Sequence, residues 1–312
     1  LYSVLGTFQH LNPWTDEEIK LLHNNILPNE SWSSFWKREI PHRTLSSVVC
    51  KGRKLGINNN HYRSRKYSFN NDIWKEPTPE SCYWAAWIAT DGCITSTNRT
   101  GESFSLKIDL QESDSHVLER FKEFCSYTGP LRKVRQKGNS RTIELCIAIS
   151  KGWVDDLKKY YNITPRKTHT LQPPNIKDKY LKECFLLGAI EGDGHVGRSS
   201  KRGCVYISFS SASPEMGQWV QNMFDDMTFG CAIIDTKSVK ESGKRKLPKI
   251  GNAYIPHVGG NSACALIDYF RQFPLSKLDR KWNNPKIVEY IESKKLLYPD
   301  KFLTLEIPPQ YR

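Results

Sequence analysis

The sequence predicts an α+β protein in which an α-β-β-α-β-β-α unit occurs twice, with pseudo-two-fold symmetry, after a small three-helix domain. Three observations favour this fold class. Two apolar, small-residue-rich runs, YWAAWIATDG and FLLGAIEGDG, each end in Asp-Gly, and the second lies in the later half of the chain. The elements after both runs follow the same order, which indicates an internal repeat. Residues 1–70 are polar, bear tryptophan and have helical periodicity.

The predicted domain boundaries follow from these changes of pattern. We predict a three-helix domain over residues 1–60, a linker over 61–80, a first half over 81–178 and a second half over 179–312. The linker, HYRSRKYSFNNDIWKEPTPE, is predicted because few of its positions are apolar.

Helix signals divide the N-terminal domain. Thr15 and Glu18 form a capping box that begins the first helix. A second short helix is predicted around residues 33–39. Thr44 then caps a third helix, which carries basic residues and ends near Gly56. Three short helices with a basic last one are typical of a helix-turn-helix domain.

The first half begins with a helix that runs through Asp91. The segment SFSLKIDLQE then alternates apolar and polar residues, as a half-buried strand does. SDSHVLERFKEF is predicted to form a helix, LRKVRQKG and RTIELCIAIS a strand pair, and KGWVDDLKKYY a closing helix. A proline-bounded tail, ITPRKTHTLQPPN, follows.

The second half repeats this order from the helix LKECFLLGAIEGD to the tail PLSKLDRKW. The spacing also agrees, because the stretch of chain between Asp91 and Lys167 is nearly as long as that between Asp193 and Lys277. Unrelated folding units would rarely agree so closely, and the two Asp-Gly runs therefore occupy equivalent places in a duplication.

Small residues in both runs predict a close helix pair. Gly188 and Gly192 are four positions apart and share one helix face, as do Ala85 and Ala89 in the first run. An interior glycine costs about 1 kcal/mol relative to alanine, so close backbone approach is its best use here. The pairing would place Asp91 and Asp193 near each other.

Two nearby carboxylates repel each other unless one is protonated or a cation lies between them. Mg²⁺ prefers oxygen ligands and accepts one or two carboxylates together with phosphate oxygens. Such a metal polarises a phosphodiester and generates a hydroxide-like nucleophile. In a basic protein, the paired aspartates therefore indicate a metal-dependent phosphodiesterase.

The amino-acid composition limits the class of binding partner and the cellular compartment that the sequence predicts. The 46 lysines and arginines exceed the 33 acidic residues by 13, which predicts attraction to nucleic acid. No apolar run approaches the length that crosses a bilayer, so we expect no membrane partner. Nine cysteines without paired spacing favour neither zinc nor a disulfide framework, and fit a reducing intracellular compartment such as the mitochondrion or nucleus. We expect a monomer.

The motifs WAAWIATDG (residues 84–92) and LLGAIEGDG (186–194) resemble those of LAGLIDADG homing endonucleases of the single-chain, two-motif kind. The resemblance covers roughly residues 81–285. It implies site-specific cleavage of double-stranded DNA, with each aspartate serving one strand. The sixth motif position is Ala89 in one copy and Glu191 in the other, where the family name has aspartate. The halves are therefore unequal, and we expect one strand to be cut more slowly.

The resemblance also implies site residues. Asp91 and Asp193 would be catalytic and would bind the metal, with backbone carbonyls of Thr90 and Gly192 completing its shell. Tail lysines near the active centre correspond to Lys167 and Lys277, where a charge would stabilise the developing phosphorane. Neighbouring candidates for the same role are Arg166 and Lys281.

The N-terminal segment resembles a Myb/SANT-type DNA-binding domain. PWTDEEIKLL matches its opening, and the spacing of Trp14 and Trp32 fits the tryptophan pattern of such domains. PHRTLSSVVCKGRKLGI matches its last helix, although Val49 and Leu55 stand in that helix and a third tryptophan is absent. A helical accessory domain without a DNA role is the alternative.

Strand alternation predicts a DNA-facing surface on both sheets. Twisted antiparallel strands can lie in the major groove and read base edges, while flanking cations contact phosphates. The candidate DNA-binding residues are Arg43, Lys51, Arg53, Lys54, Lys107, Gln111, Arg132, Arg135, Lys137, Arg141, Tyr206, Ser208, Lys237, Lys244, Arg245 and Lys246.

Two other functions stay open from the sequence. The family resemblance also allows a maturase that binds group I intron RNA and assists splicing. A DNA-binding protein that has lost cleavage is the third possibility. The presence of both aspartates argues against this third possibility but not against the maturase.

Overall fold

A computed structural model describes residues 13–26, 32–57, 67–97, 103–135, 141–200, 203–228, 233–238, 252–275, 278–299 and 302–311. The chain divides into two compact units, residues 1–67 and 68–312. In the described ranges, no helix is long and apolar enough to cross a membrane.

The first unit contains helices α1 (Asp16–Asn24), α2 (Trp32–Glu39) and α3 (Leu45–Lys54). Thr15 and Glu18 form the reciprocal capping box of α1, and Thr44 caps α3 by accepting a hydrogen bond from the Ser47 amide. Each helix contributes to one small core, whose fully buried side chains are Leu22, Phe35, Ile40 and Val48.

The second unit mixes helices and sheets, as the predicted α+β class requires. Its first half comprises α4 (Pro79–Thr90), β1 (Gly92–Ser96), β2 (Phe104–Gln111), α5 (Ser115–Cys125), β3 (Arg132–Arg135), β4 (Arg141–Ile149) and α6 (Lys151–Tyr161). These strands form an antiparallel sheet in the order β1-β2-β4-β3.

The following segment has the same order of elements. It comprises α7 (Lys179–Asp193), β5 (Gly194–Arg198), β6 (Val205–Phe209), α8 (Pro214–Thr228), β7 (Ile233–Ser238), β8 (Asn252–Gly259), α9 (Gly260–Arg271), α10 (Asp279–Trp282) and α11 (Pro285–Leu297). The antiparallel strand order is β5-β6-β8-β7, which matches the first sheet position by position.

Residues 68–78, which the sequence analysis assigns to a linker, pack onto the second unit instead. Trp74 is fully buried, and its ring makes edge contacts with those of Trp153 and Tyr161. The Asn70 amide donates to the Cys125 carbonyl at 2.8 Å. One tryptophan in a polar stretch is enough to fix this segment, because a buried aromatic ring removes a large area from water.

Helices α4 and α7 form the centre of the second unit and pack through their small residues. A methyl group on Gly188 would overlap the Tyr83 carbonyl and lie 2.9 Å from the Ala86 Cβ. A methyl group on Gly192 would overlap the Thr90 side chain. The predicted glycine face is therefore the contact face, but Ala86 and Thr90 meet it rather than the predicted alanine pair at positions 85 and 89.

Replacing Gly188 by alanine is expected to lower the free energy of unfolding by about 3 kcal/mol, because the added methyl group meets backbone that cannot move aside. Urea denaturation measures this change. Gly152→Ala in α6 is the matched control, since only Ser150 Oγ lies near its added methyl group, at 3.7 Å. That substitution is expected to stabilise the protein by about 0.5 kcal/mol. Equal effects at both positions would contradict the close approach of the helices.

Two reciprocal contacts connect the halves outside this helix pair. Arg280, in the tail of the second half, forms a two-point ion pair with Asp114 before α5, at 2.8 and 3.3 Å. The Ser213 hydroxyl before α8 donates to the Leu171 carbonyl in the tail of the first half at 2.6 Å. Each tail is thereby held at the start of a helix of the other half, α5 for the second tail and α8 for the first.

Candidate active site

Asp91 and Asp193 lie at the C-terminal ends of α4 and α7, where Gly192 packs against the side chains of Thr90 and Asp91. The Thr90 hydroxyl donates to Asp91 Oδ2 at 3.0 Å. The same oxygen lies 2.7 Å from the point where Gly192 would carry a Cβ atom. The carboxylate of Asp91 therefore sits against the residue that precedes Asp193, and only a glycine at 192 leaves room for it.

The protein around the two carboxylates perturbs their ionisation. Asp91 is half-buried, and exclusion of water raises its pKa. Asp193 reaches solvent, yet the surrounding protein and the charge of Asp91 raise its pKa to about 6. Both shifts mean that the folded chain holds two negative charges in a place where they are unfavourable without a cation.

The donor set fits Mg²⁺. The described residues contain no cluster of three or more histidine, cysteine or carboxylate side chains that would hold a metal. Two carboxylates and neighbouring backbone carbonyls are hard oxygen donors, and they leave positions for water and phosphate oxygens. Mg²⁺ usually retains several waters and binds through one or two carboxylates.

A lysine lies beside each aspartate. The Lys167 ammonium group donates to the Gly92 carbonyl, and Lys281 donates to the Gly194 carbonyl at 2.7 Å. Each lysine thus binds the glycine that follows the aspartate of its own half. Burial lowers the pKa of Lys167, and it lowers the pKa of Lys281 to about 8.

Lys281 occupies the place for which the sequence analysis names Lys277. Residue 277 lies outside the described residues, so its prediction is untested. Lys281 also donates to the carbonyls of Ile190 and Glu191, at 2.8 and 2.6 Å. Both carbonyls belong to the last turn of α7, where the Ile190 carbonyl also accepts from the Gly194 amide, so Lys281 adds a charged donor at the end of the helix that presents Asp193.

Glu191, the unusual sixth residue of the second motif, is buried and joins three elements. It accepts hydrogen bonds from the Tyr83 hydroxyl of α4 and from the Trp282 indole at 2.7 Å. The Leu278 amide also donates to it, at 3.4 Å. The side chain therefore fixes the helix pair and the C-terminal tail, which is a structural role.

Arg43, predicted to bind DNA, has its guanidinium group engaged inside the first unit. It donates twice to Glu18 at 2.8 Å and stacks on the ring of Trp14, 4.9 Å away. This contact lowers the pKa of Glu18 to about 2. Arg43 holds α1 against the turn before α3, whereas Arg53 and Lys54 of α3 are exposed.

The other predicted DNA-binding residues differ in environment. Gln111 and Arg132 are exposed, Lys51 is half-buried, and Lys107 is held between Asp109 and Glu144. Tyr206 and Ser208 are half-buried on β6. Arg135, Arg141 and Lys237 lie within strands β3, β4 and β7, respectively. The remaining candidates lie outside the described residues: Lys137, Lys244, Arg245 and Lys246.

Comparison with known proteins finds similarity at low identity. No protein-family model matches the chain. One curated relative, the ATP-dependent DNA helicase Hel308 of Thermococcus kodakarensis, is 26% identical over 188 residues. That alignment covers 58% of this chain and 15% of the helicase, so the chain spans about a seventh of the relative's length.

Several solved structures resemble the chain, and each of the following has a TM-score below 0.5. The meganuclease I-SmaMI, bound to uncleavable DNA, shares 14% identity, covers 70% of this chain and 91% of its own, and has a TM-score of 0.45. The LAGLIDADG meganuclease I-AabMI, bound to uncleaved DNA, shares 15% identity over 73% of this chain and 94% of its own, with a TM-score of 0.42. The N-terminal LAGLIDADG domain of DUF199/WhiA shares 13% identity over 71% of this chain and 92% of its own, with a TM-score of 0.39.

The raised pKa of Asp193 predicts that this residue destabilises the metal-free protein. Its folded-state pKa of about 6 exceeds the ordinary value of 3.8, so the stability present below pH 3.8 is lost as pH rises through 6. Asp193→Asn is therefore expected to raise the free energy of unfolding at pH 7 in EDTA by about 1 kcal/mol, after allowance for solvent screening. The gain should vanish at pH 4, and thermal melts at both pH values measure it. A gain that persists at pH 4 would point to packing rather than charge.

Proposed function

We infer that the protein is a site-specific endonuclease that hydrolyses phosphodiesters in both strands of duplex DNA. The observation that carries this proposal is the placement of Asp91 and Asp193 at adjoining helix ends, each beside a buried lysine. In our proposal the two halves descend from one duplicated unit and are related by a pseudo-two-fold axis between α4 and α7. Such an axis presents one carboxylate to each strand.

Mg²⁺ would be held by Asp91 and Asp193, together with backbone carbonyls such as those of Thr90 and Gly192. When bound, it would polarise the scissile phosphate and lower the pKa of a bound water. The chain's own residues prepare this site. Gly192 leaves space for the Asp91 carboxylate, and the buried lysines hold the strand starts that follow each aspartate.

Cleavage of a defined duplex tests the proposal. A library of duplex targets is incubated with the whole chain in Mg²⁺, and in Ca²⁺ as a parallel reaction, and double-strand breaks are scored by end sequencing. Breaks at one long, asymmetric sequence are expected in Mg²⁺. If no target is cleaved and a structured intron RNA is bound tightly at the same salt, the maturase function replaces the nuclease.

We propose that the first unit is a Myb/SANT-like domain that binds DNA through α3 and lengthens the target site. Exposed Arg53 and Lys54 near the end of this helix support the proposal. Deleting residues 1–66, which spares the packed segment from Ser68, is expected to shorten the protected footprint. The deletion should also reduce the salt dependence of binding, because fewer phosphates are neutralised. An unchanged footprint would leave this unit without a DNA role.

A further inference from the structure

An ion-pair cluster lies on the polar face of the first sheet. Lys107 on β2 contacts Asp109 on the same strand at 3.1 Å and Glu144 on β4 at 2.8 Å. Asp109 and Glu144 are directly opposite in the strand register. Lys107 is 44% exposed and Asp109 is 37% exposed, so solvent or a ligand reaches the cluster.

These three residues carry one more negative than positive charge in a chain whose net charge is +13, and Arg132 on β3 lies directly opposite Glu144. Directly opposite carboxylates repel each other, and an exposed ion pair adds little to stability. Carboxylates also repel DNA phosphates. Their place on a surface proposed to face DNA therefore indicates contact with hydrogen-bond donors on base edges rather than with the backbone.

The corresponding face of the second sheet has a different chemistry. Its described outward positions on β5 and β6 are His195, Gly197, Tyr206 and Ser208, which place no lysine or carboxylate there. On β7, the register places Asp235 and Lys237 opposite Ile255 and Ala253, so both sheets carry acidic and basic residues. Among the described strand pairs, what distinguishes the first sheet is a pair of carboxylates directly opposite each other on adjacent strands. A contact that depends on it would act on only one half of an asymmetric target.

We propose that Lys107, Asp109 and Glu144 read one C·G base pair in the half-site that lies against the first sheet. The carboxylates accept from the cytosine N4 amino group, which is the donor that this pair presents in the major groove. An ammonium group has three donors, of which two contact the carboxylates, and the third is directed to guanine O6 or N7. This inference rests on the proposed DNA-binding function of the sheet.

Selection from randomised duplexes in Ca²⁺, with the full chain, tests the assignment. The wild-type protein is expected to prefer C·G at one position of one half-site. Glu144→Gln and Lys107→Met are each expected to reduce that preference about tenfold while preferences elsewhere stay unchanged. Glu112→Gln is the matched control, because Glu112 forms an exposed ion pair with Lys133 on the edge strand β3, at 2.7 Å. It should leave the whole profile unchanged.

The outcomes separate the two levels of the proposal. If the wild-type profile is selective and Glu144→Gln leaves it intact, or weakens every position equally without a change in melting temperature, the base assignment is wrong and DNA recognition stands. If the wild-type chain shows no sequence preference in any duplex pool, the DNA function fails and the base assignment fails with it.

Discussion

Asp193→Asn is expected to reduce DNA cleavage by about a thousandfold or more while leaving target binding in Ca²⁺ nearly unchanged. Asparagine preserves the shape of the side chain but removes the charge that, in the proposed mechanism, would hold Mg²⁺ and stabilise the transition state. The same substitution should stabilise the metal-free fold at pH 7. Loss of activity together with a gain in stability is a combination that misfolding cannot produce.

The measurement is single-turnover cleavage of a duplex labelled differently on each strand. Asp91→Asn is expected to have a similar effect, since the proposed site includes both carboxylates. Asp226→Asn, an exposed aspartate near the end of α8, is the matched control and should retain full cleavage. If Asp193→Asn still cuts both strands at the wild-type rate, the paired carboxylates do not form the catalytic site.

The sequence predicts the repeated core well because its constraints are local. The alternation of apolar and polar residues predicts β2, and small residues four positions apart predict the glycine face of α7. The predicted α-β-β-α-β-β-α order includes a strand at the place of β1 and of β5, but their bounds are not apparent from the sequence, because such short segments beginning with glycine carry little alternation. They form because each pairs with the strand that follows it, Gly92 opposite Ile108 and Gly194 opposite Phe209.

Contacts between distant residues account for what sequence reasoning misses. The sequence offers Lys281 only as a candidate beside Lys277, because nothing local distinguishes the lysines of this segment. The partners of Lys281 lie far upstream, on α7 and at the start of β5. The sequence also does not show that the guanidinium group of Arg43 binds Glu18, which is distant along the chain within the first unit. A basic residue in a basic motif is ambiguous until its partners are known.

The two lysines of the site are predicted to contribute differently to the stability of the fold. Lys281 donates to a series of carbonyls at the end of α7, whereas Lys167 donates to Gly92. Lys281→Met is expected to lower the free energy of unfolding by about 3 kcal/mol, because several buried helix-end carbonyls would lose their donor. It should also reduce cleavage strongly, since the helix end that carries Asp193 loses one of its attachments to the C-terminal tail.

Lys277→Met provides the comparison within the same tail, and it separates the predicted lysine from the one that the structure places at the site. If Lys281 is the functional residue, Lys277→Met should melt and cleave as the wild-type protein does. The pKa of Lys281, about 8, adds a second readout. As pH rises through 8 the ammonium group loses a donor, so wild-type cleavage should decline there, whereas Lys281→Met should show no decline at that pH. A wild-type alkaline decline that persists in Lys281→Met would assign the titrating group elsewhere.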